Sequence, residues 1–118
     1  MKRALIIEDQ DLMRLTVMEI IEEHFSGCNV EGAQTLEAAL ALLKPNAFDL
    51  VVIDPGLPGF NPGLDEDRVS VVTQIVKASP HAKHLVLTGT DSETEADVMR
   101  EIGINGYVAK IGLSRLRL

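Results

Sequence analysis

Two aliphatic runs in this chain end abruptly in acid: Ala4-Leu5-Ile6-Ile7-Glu8-Asp9 and Phe48-Asp49-Leu50-Val51-Val52-Ile53-Asp54. An aliphatic run followed at once by carboxylates describes a buried parallel strand whose C-terminal end reaches the surface. In open α/β sheets, ligands bind outside the carboxyl ends of the strands. Glu8, Asp9 and Asp54 are therefore expected to meet at one edge of one sheet. Carboxylates packed that closely repel each other. The set calls for a cation, most simply a hard divalent ion such as Mg2+. Two further strand-like segments also end in polar residues. Leu85-Val86-Leu87 runs into Thr88-Gly89, and Tyr107-Val108-Ala109 runs into Lys110.

These residues need a frame, and the rest of the chain describes one. Strand-like and helix-like segments alternate, which implies βαβ units and a parallel sheet. The first strand is about Ala4 to Glu8. A helix capped by Asp9 or Asp11 follows, with Met13, Val17, Ile20, Ile21 and Phe25 on one face, and Gly27 ends it. A short strand covers Asn29 to Gly32. Thr35 is the expected N-cap of a second helix that sets Leu36, Ala39, Leu40 and Leu43 on one side, stopped by Pro45-Asn46. The third strand is Asp49 to Ile53. The stretch Pro55 to Asp67 holds three prolines and three glycines, so it reads as a loop. The third helix runs from about Asp67 to Ala78 with Val69, Val72, Ile75 and Val76 facing in, and the fourth strand from His84 to Thr88. Ser92 and Glu95 form a capping-box pair that opens the fourth helix, and Gly103 closes it. The fifth strand is about Gly106 to Ala109. This is the pattern of a flavodoxin-like three-layer α/β/α sandwich, with a five-stranded parallel sheet of order 2-1-3-4-5. Its switch point falls between strands one and three, where Glu8, Asp9 and Asp54 would converge.

Composition narrows the function classes. The 118 residues are enough for one domain with a real core, and 46% hydrophobic with 25% charged content is that of a soluble globular protein. No apolar run approaches the roughly 20 residues of a membrane span, and the first residues show no signal-peptide pattern. A net charge of −7 argues against direct nucleic-acid binding, and 3% aromatics without Trp leaves no base-stacking platform. The lone Cys28 cannot form an internal disulfide, which fits a cytoplasmic setting. His24, His81 and His84 show no ligand spacing and read as surface or loop residues.

An acid pair, a single Asp, a Thr and a Lys at four successive strand ends resemble the receiver domain of bacterial two-component response regulators. The resemblance extends from Leu5 to Lys110, and the domain is taken as residues 1–118. It implies that Asp54 is the phosphoacceptor, forming an acyl phosphate. Asp9 and Asp54 would hold Mg2+, with Glu8 acting partly through water and the Gly56 carbonyl as a further ligand. Lys110 would pair with Asp54 and then with a phosphoryl oxygen, to which Thr88 would donate its hydroxyl. Gly89 leaves room for the donor. Tyr107 matches the family's aromatic switch position, although an ordinary partly buried tyrosine is an equal reading. The implied partners are a sensor histidine kinase or phosphotransfer protein and a C-terminal effector domain outside this chain. The face that would change partner is formed by the fourth helix, fifth strand and fifth helix.

The chain also departs from the family. Asn61-Pro62-Gly63-Leu64-Asp65-Glu66 stands as an insertion in the loop after Asp54, while Pro58 occupies the family's proline position. Ile111 replaces the family's cis proline after Lys110. A non-proline cis bond costs about 3–4 kcal/mol, so a trans bond and a shifted turn are expected. Ile111 to Leu118 is too short for a full fifth helix, so that helix is expected to be short or missing. The sheet edge it would leave uncovered favours a homodimer. The alternative function is a receiver-like interaction module with little or no phosphorylation. A haloacid-dehalogenase-like phosphatase is disfavoured because Gly56 stands where a second Asp is needed. A nucleotide or flavin binder is disfavoured because no glycine-rich phosphate loop follows strand one.

Overall fold

A computed structural model describes residues 1–44, 47–57 and 65–110. Its elements alternate as β1 (Arg3–Ile7), α1 (Asp11–His24), β2 (Asn29–Ala33), α2 (Leu36–Leu43), β3 (Leu50–Ile53), α3 (Asp65–Ala78), β4 (Lys83–Thr88), α4 (Glu93–Ile102) and β5 (Gly106–Ala109). The strands form one parallel sheet in the order β2-β1-β3-β4-β5. This is the expected flavodoxin-like arrangement, with element ends displaced by one or two residues. The expected helix stop at 45–46, the 58–64 part of the long loop, and the short or missing fifth helix with the Lys110–Ile111 bond lie outside the described residues.

The central strands are apolar throughout because both faces of the sheet are covered. Leu5, Ile7, Val51, Ile53 and Val86 turn to one face, against Leu36, Ala39 and Leu43 of α2, Val71, Val72 and Ile75 of α3, and Met99 of α4. Ile6, Val52 and Leu87 turn to the other, against Met13, Val17 and Ile21 of α1. Full burial of one such aliphatic side chain is worth about 1.5–3 kcal/mol. This two-sided core holds the strand ends in register: Ile7 lies beside Ile53, Ile53 beside Val86, and Thr88 beside Ala109.

Helix ends follow local chemistry, with some corrections. Thr35 caps α2 as expected, its hydroxyl accepting from Ala38 N at 3.1 Å. Gly103, at φ 128°, closes α4 in a conformation that only glycine adopts without strain. The N-cap of α1 is Gln10, not Asp9 or Asp11, and it makes no side-chain cap bond. Asp11 is instead engaged by Arg14 Nη2 at 2.7 Å. Phe25 lies past the helix and is 39% exposed, so it does not belong to the inward face. His84 is buried, contrary to its reading as a surface residue: its Nε2 lies 2.8 Å from Ser79 Oγ. The Ser79 hydroxyl donates to the Ile75 carbonyl at 2.6 Å. The imidazole Nε2–H must therefore be the donor to Ser79.

Candidate functional site

The site is built by the parallel ladder. Glu8 N donates to the Ala33 carbonyl at 3.0 Å, and Asp54 N donates to the Ile7 carbonyl at 2.9 Å. These bonds carry the strand geometry one residue past β1 and β3 and set the two acids side by side. Glu8, Asp9 and Asp54 each place one carboxylate oxygen within 4.8 Å of the others. Glu8 and Asp54 are buried, whereas Asp9 is exposed. The acid corner expected from the two strand ends is thus present.

Local bonds fix each member. Gln10 N donates to Glu8 Oε2 at 3.3 Å. Arg14 Nη1 donates to the Glu8 carbonyl at 3.0 Å, so α1 grips the end of β1. Gly56 N donates to Asp54 Oδ1 at 3.0 Å, an Asx-type turn that orients the carboxylate. From just past β5, Lys110 Nζ stands 2.6 Å from Glu8 Oε1 and 3.4 Å from Asp54 Oδ2.

The electrostatics of the corner are unbalanced. Burial, and then the neighbouring Asp54 carboxyl, push Glu8 from the ordinary 4.5 up to about 7, against the pull of Lys110. Burial alone would lower Lys110, but Glu8 and Asp54 outweigh it and hold the ammonium above its ordinary value. Lys110 is therefore a fixed cation at neutral pH. One ammonium does not neutralise three carboxylates. Hard oxygen donors with surplus negative charge are the donor chemistry of Mg2+. The residues present fit such an ion.

Thr88 and Tyr107 are held from an unexpected direction. Thr88 is 1% exposed, and its Oγ1 accepts from Arg68 Nη2 at 2.7 Å and from Thr90 N at 3.1 Å. Arg68, from α3, also grips Glu95 of α4: Nε donates to Oε2 at 2.7 Å and Nη2 to Oε1 at 2.8 Å. The half-buried Tyr107 places its hydroxyl 2.9 Å from both Glu95 Oε1 and the Thr90 carbonyl, so its single proton is shared. The Glu95 bond raises the Arg68 guanidinium further above its ordinary value. Burial would raise Glu95, but Arg68 and Tyr107 win and hold it low, as a carboxylate.

Sequence reasoning missed Arg68 and gave Glu95 a different task. Only half of the capping box forms: Ser92 Oγ accepts from Glu95 N at 3.2 Å, while the Glu95 carboxylate turns inward to Arg68. The residue type that satisfies the capping pattern is also the type a buried arginine needs. Arg14 was missed too, and its spacing from Asp11 on one helix face was the available signal.

Residues 4–117 match the profile of the response regulator receiver domain. Response regulator UvrY of Escherichia coli is 31% identical over 112 residues, covering 93% of this chain and 48% of its own length. The chain thus spans about half the length of that curated relative. Chemotaxis protein CheY-3 of Vibrio cholerae is 29% identical over 111 residues, covering 92% of this chain and 79% of its own. A crystal structure of a response regulator protein from Burkholderia pseudomallei, with a phosphorylated aspartic acid, a calcium ion and citrate, superposes with a TM-score of 0.78 at 26% identity. That match covers 93% of this chain and 60% of the other.

Proposed function

From the premise that this chain belongs to the response regulator receiver domain family, a family of signalling switches rather than classical enzymes, we propose that Asp54 is its phosphoacceptor. The observation that carries the reading is the acid corner with its lysine: three carboxylates within 4.8 Å of one another, and Lys110 Nζ 2.6 Å from Glu8 and 3.4 Å from Asp54.

In this reading an Asp54 carboxylate oxygen attacks phosphorus while the bond from phosphorus to the donor's leaving group breaks. The product is an acyl phosphate. The donor is a sensor histidine kinase or a phosphotransfer protein. Asp9 and Asp54 would hold Mg2+, with Glu8 acting partly through water and the Gly56 carbonyl as a further ligand. When bound, the ion neutralises charge on the transferring phosphoryl oxygens. Lys110 moves its ammonium from the Asp54 carboxylate to a phosphoryl oxygen, as a compact point charge. Both acceptor positions of the Thr88 hydroxyl are filled by N–H donors, so only its proton remains to offer. That leaves Thr88 set up as a donor to the phosphoryl group. Hydrolysis of the acyl phosphate resets the switch.

The domain comprises residues 1–118. The curated relative UvrY is about twice as long, which suits an effector domain beyond this piece. Phosphorylation changes the partner preference of the side that carries α4 and β5, and pairing of two copies is one such outcome. Among the described residues no helix is long and apolar enough to cross a membrane, and a cytoplasmic location fits a kinase-driven switch.

The test is direct. The protein is incubated with Mg2+ and acetyl phosphate, and its intact mass is measured. One phosphoryl adduct, absent in Asp54→Asn and with chelator, is the expected result. No adduct on the wild-type chain would sink the proposal in favour of an interaction module that is not phosphorylated.

A further inference from the structure

The Thr88 and Tyr107 side chains meet at one ion pair. Atom by atom, Thr88 Oγ1 accepts from Arg68 Nη2 at 2.7 Å, the same Nη2 donates to Glu95 Oε1 at 2.8 Å, and the Tyr107 hydroxyl lies 2.9 Å from that same Oε1. Four elements, β4, α3, α4 and β5, are thereby linked through two atoms. The pair is buried: its side chains are 9% and 5% exposed. Exposed ion pairs rearrange freely in water, but a buried bidentate pair has discrete arrangements, because each broken bond leaves a polar group without solvent.

We propose that Arg68 is the positioning residue that couples Thr88 to Tyr107: the Arg68–Glu95 pair holds both side chains in the unphosphorylated arrangement, and a phosphoryl group on Asp54 draws Arg68 away from Glu95. This rests on the phosphoacceptor reading of Asp54 and deepens it. When Thr88 turns its proton to a phosphoryl oxygen and moves toward it, Nη2 must either follow and leave Glu95, or stay and lose Thr88. A phosphoryl group brings close to two negative charges and three acceptor oxygens. Guanidinium groups favour such acceptors, in fork geometry, at least as strongly as a carboxylate. Asp54 already acts on Arg68 electrostatically before any phosphoryl group is added. The balance therefore tips toward following. Glu95 Oε1 then loses its cation, the Tyr107 hydroxyl loses the oriented acceptor that pinned it, and α4 loses its tether to α3.

The chain supplies its own reporter. Tyr107 is the sole tyrosine and there is no tryptophan, so tyrosine emission reports this one ring. A carboxylate that accepts a phenol proton quenches that emission. The full chain is examined with Mg2+ and beryllofluoride as a stable phosphoryl mimic. Phosphoryl uptake from acetyl phosphate is read separately by intact mass. For the wild type, emission is expected to rise on addition of beryllofluoride. For Arg68→Gln, the emission change should be lost although the variant still takes up one phosphoryl group. The double variant Arg68→Gln/Glu95→Gln replaces the ion pair by neutral amides of the same shape and keeps the test valid if the single variant does not fold. Its emission should be high from the start and should not respond to beryllofluoride.

A wild-type emission change that persists in Arg68→Gln or in the double variant overturns the coupling role. Loss of all uptake in both variants also overturns it, because Arg68 would then be needed for the transfer itself. Wild-type uptake with no emission change defeats the coupling alone. No wild-type uptake defeats the phosphoacceptor reading and the coupling with it.

Discussion

Replacing Glu8 by glutamine should shift stability in the variant's favour, relative to wild type, as the pH rises. The folded chain holds the Glu8 carboxyl at about 7, because it is buried beside Asp54. In the unfolded chain it ionises near its ordinary value. Between those two values unfolding releases a proton, so rising pH favours the unfolded state. Keeping a carboxyl at about 7 instead of 4.5 costs roughly 3 kcal/mol once it must ionise fully. About 1 kcal/mol of that is already expressed at pH 5, and nearly all of it at pH 8. The pull of Lys110 is included, since it has already been outweighed in the upward shift. The stability of Glu8→Gln relative to wild type should therefore rise by about 2 kcal/mol from pH 5 to pH 8, a large share of the 5–15 kcal/mol typical of a domain. Urea unfolding followed by circular dichroism, at several pH values with chelator present, measures it. Taking the difference between variant and wild type removes every other titrating group common to both. A difference that stays flat within about 0.5 kcal/mol across that range would refute the picture of a buried, crowded carboxyl.

Three further outcomes follow from the same geometry. Glu95→Ala should cost about 3–5 kcal/mol of unfolding free energy, because it strands a buried guanidinium, and a cycle with Arg68→Met should recover much of that loss. Additive effects would mean that the pair is loose. Mg2+ should raise the thermal midpoint of the wild type, by about 2.7 kcal/mol of stabilisation at one hundred times its dissociation constant; in Asp9→Asn the increase should shrink sharply, and an equal increase would remove Asp9 from the metal site. Burial holds His84 below its ordinary value, so its contribution is full above about pH 6.5 and is lost as the pH falls below that. His84→Gln should flatten the acid side of the stability curve, and an unchanged slope would place that proton elsewhere.

The strands and the site they carry were legible because parallel strands buried on both faces have no room for polar residues. Where Ile7 gives way to Glu8 and Ile53 to Asp54, the chain leaves the core, and the chemistry begins there. Strand order made those exits neighbours. The helices were less legible. Helix α1 buries only Val17 fully, so its apolar pattern overstated what it packs. Arg68 was not legible at all, because a charged residue on an amphipathic helix reads as solvated unless its partner is known. That partner, Glu95, lies in another helix, and local rules assigned it to capping. His84 was misread for a related reason: its burial rests on Ser79, in the turn after α3, and strand periodicity says nothing of that contact.

The acids of the corner come from the exits of β1 and β3, at the start and near the middle of the chain, and its lysine from just after β5. During synthesis the acids leave the ribosome first, and at about 5–20 residues per second they precede the lysine by seconds. A partly made chain can bring Glu8 beside Asp54 once β3 pairs with β1, yet it has no Nζ to set between them until the final strand docks on β4. On the proposed reading, competence to receive a phosphoryl group is then a certificate of completed folding. On the same reading, a nascent or misassembled chain carries the acids without the ammonium that would pair with the transferred group, and it takes up a phosphoryl group poorly.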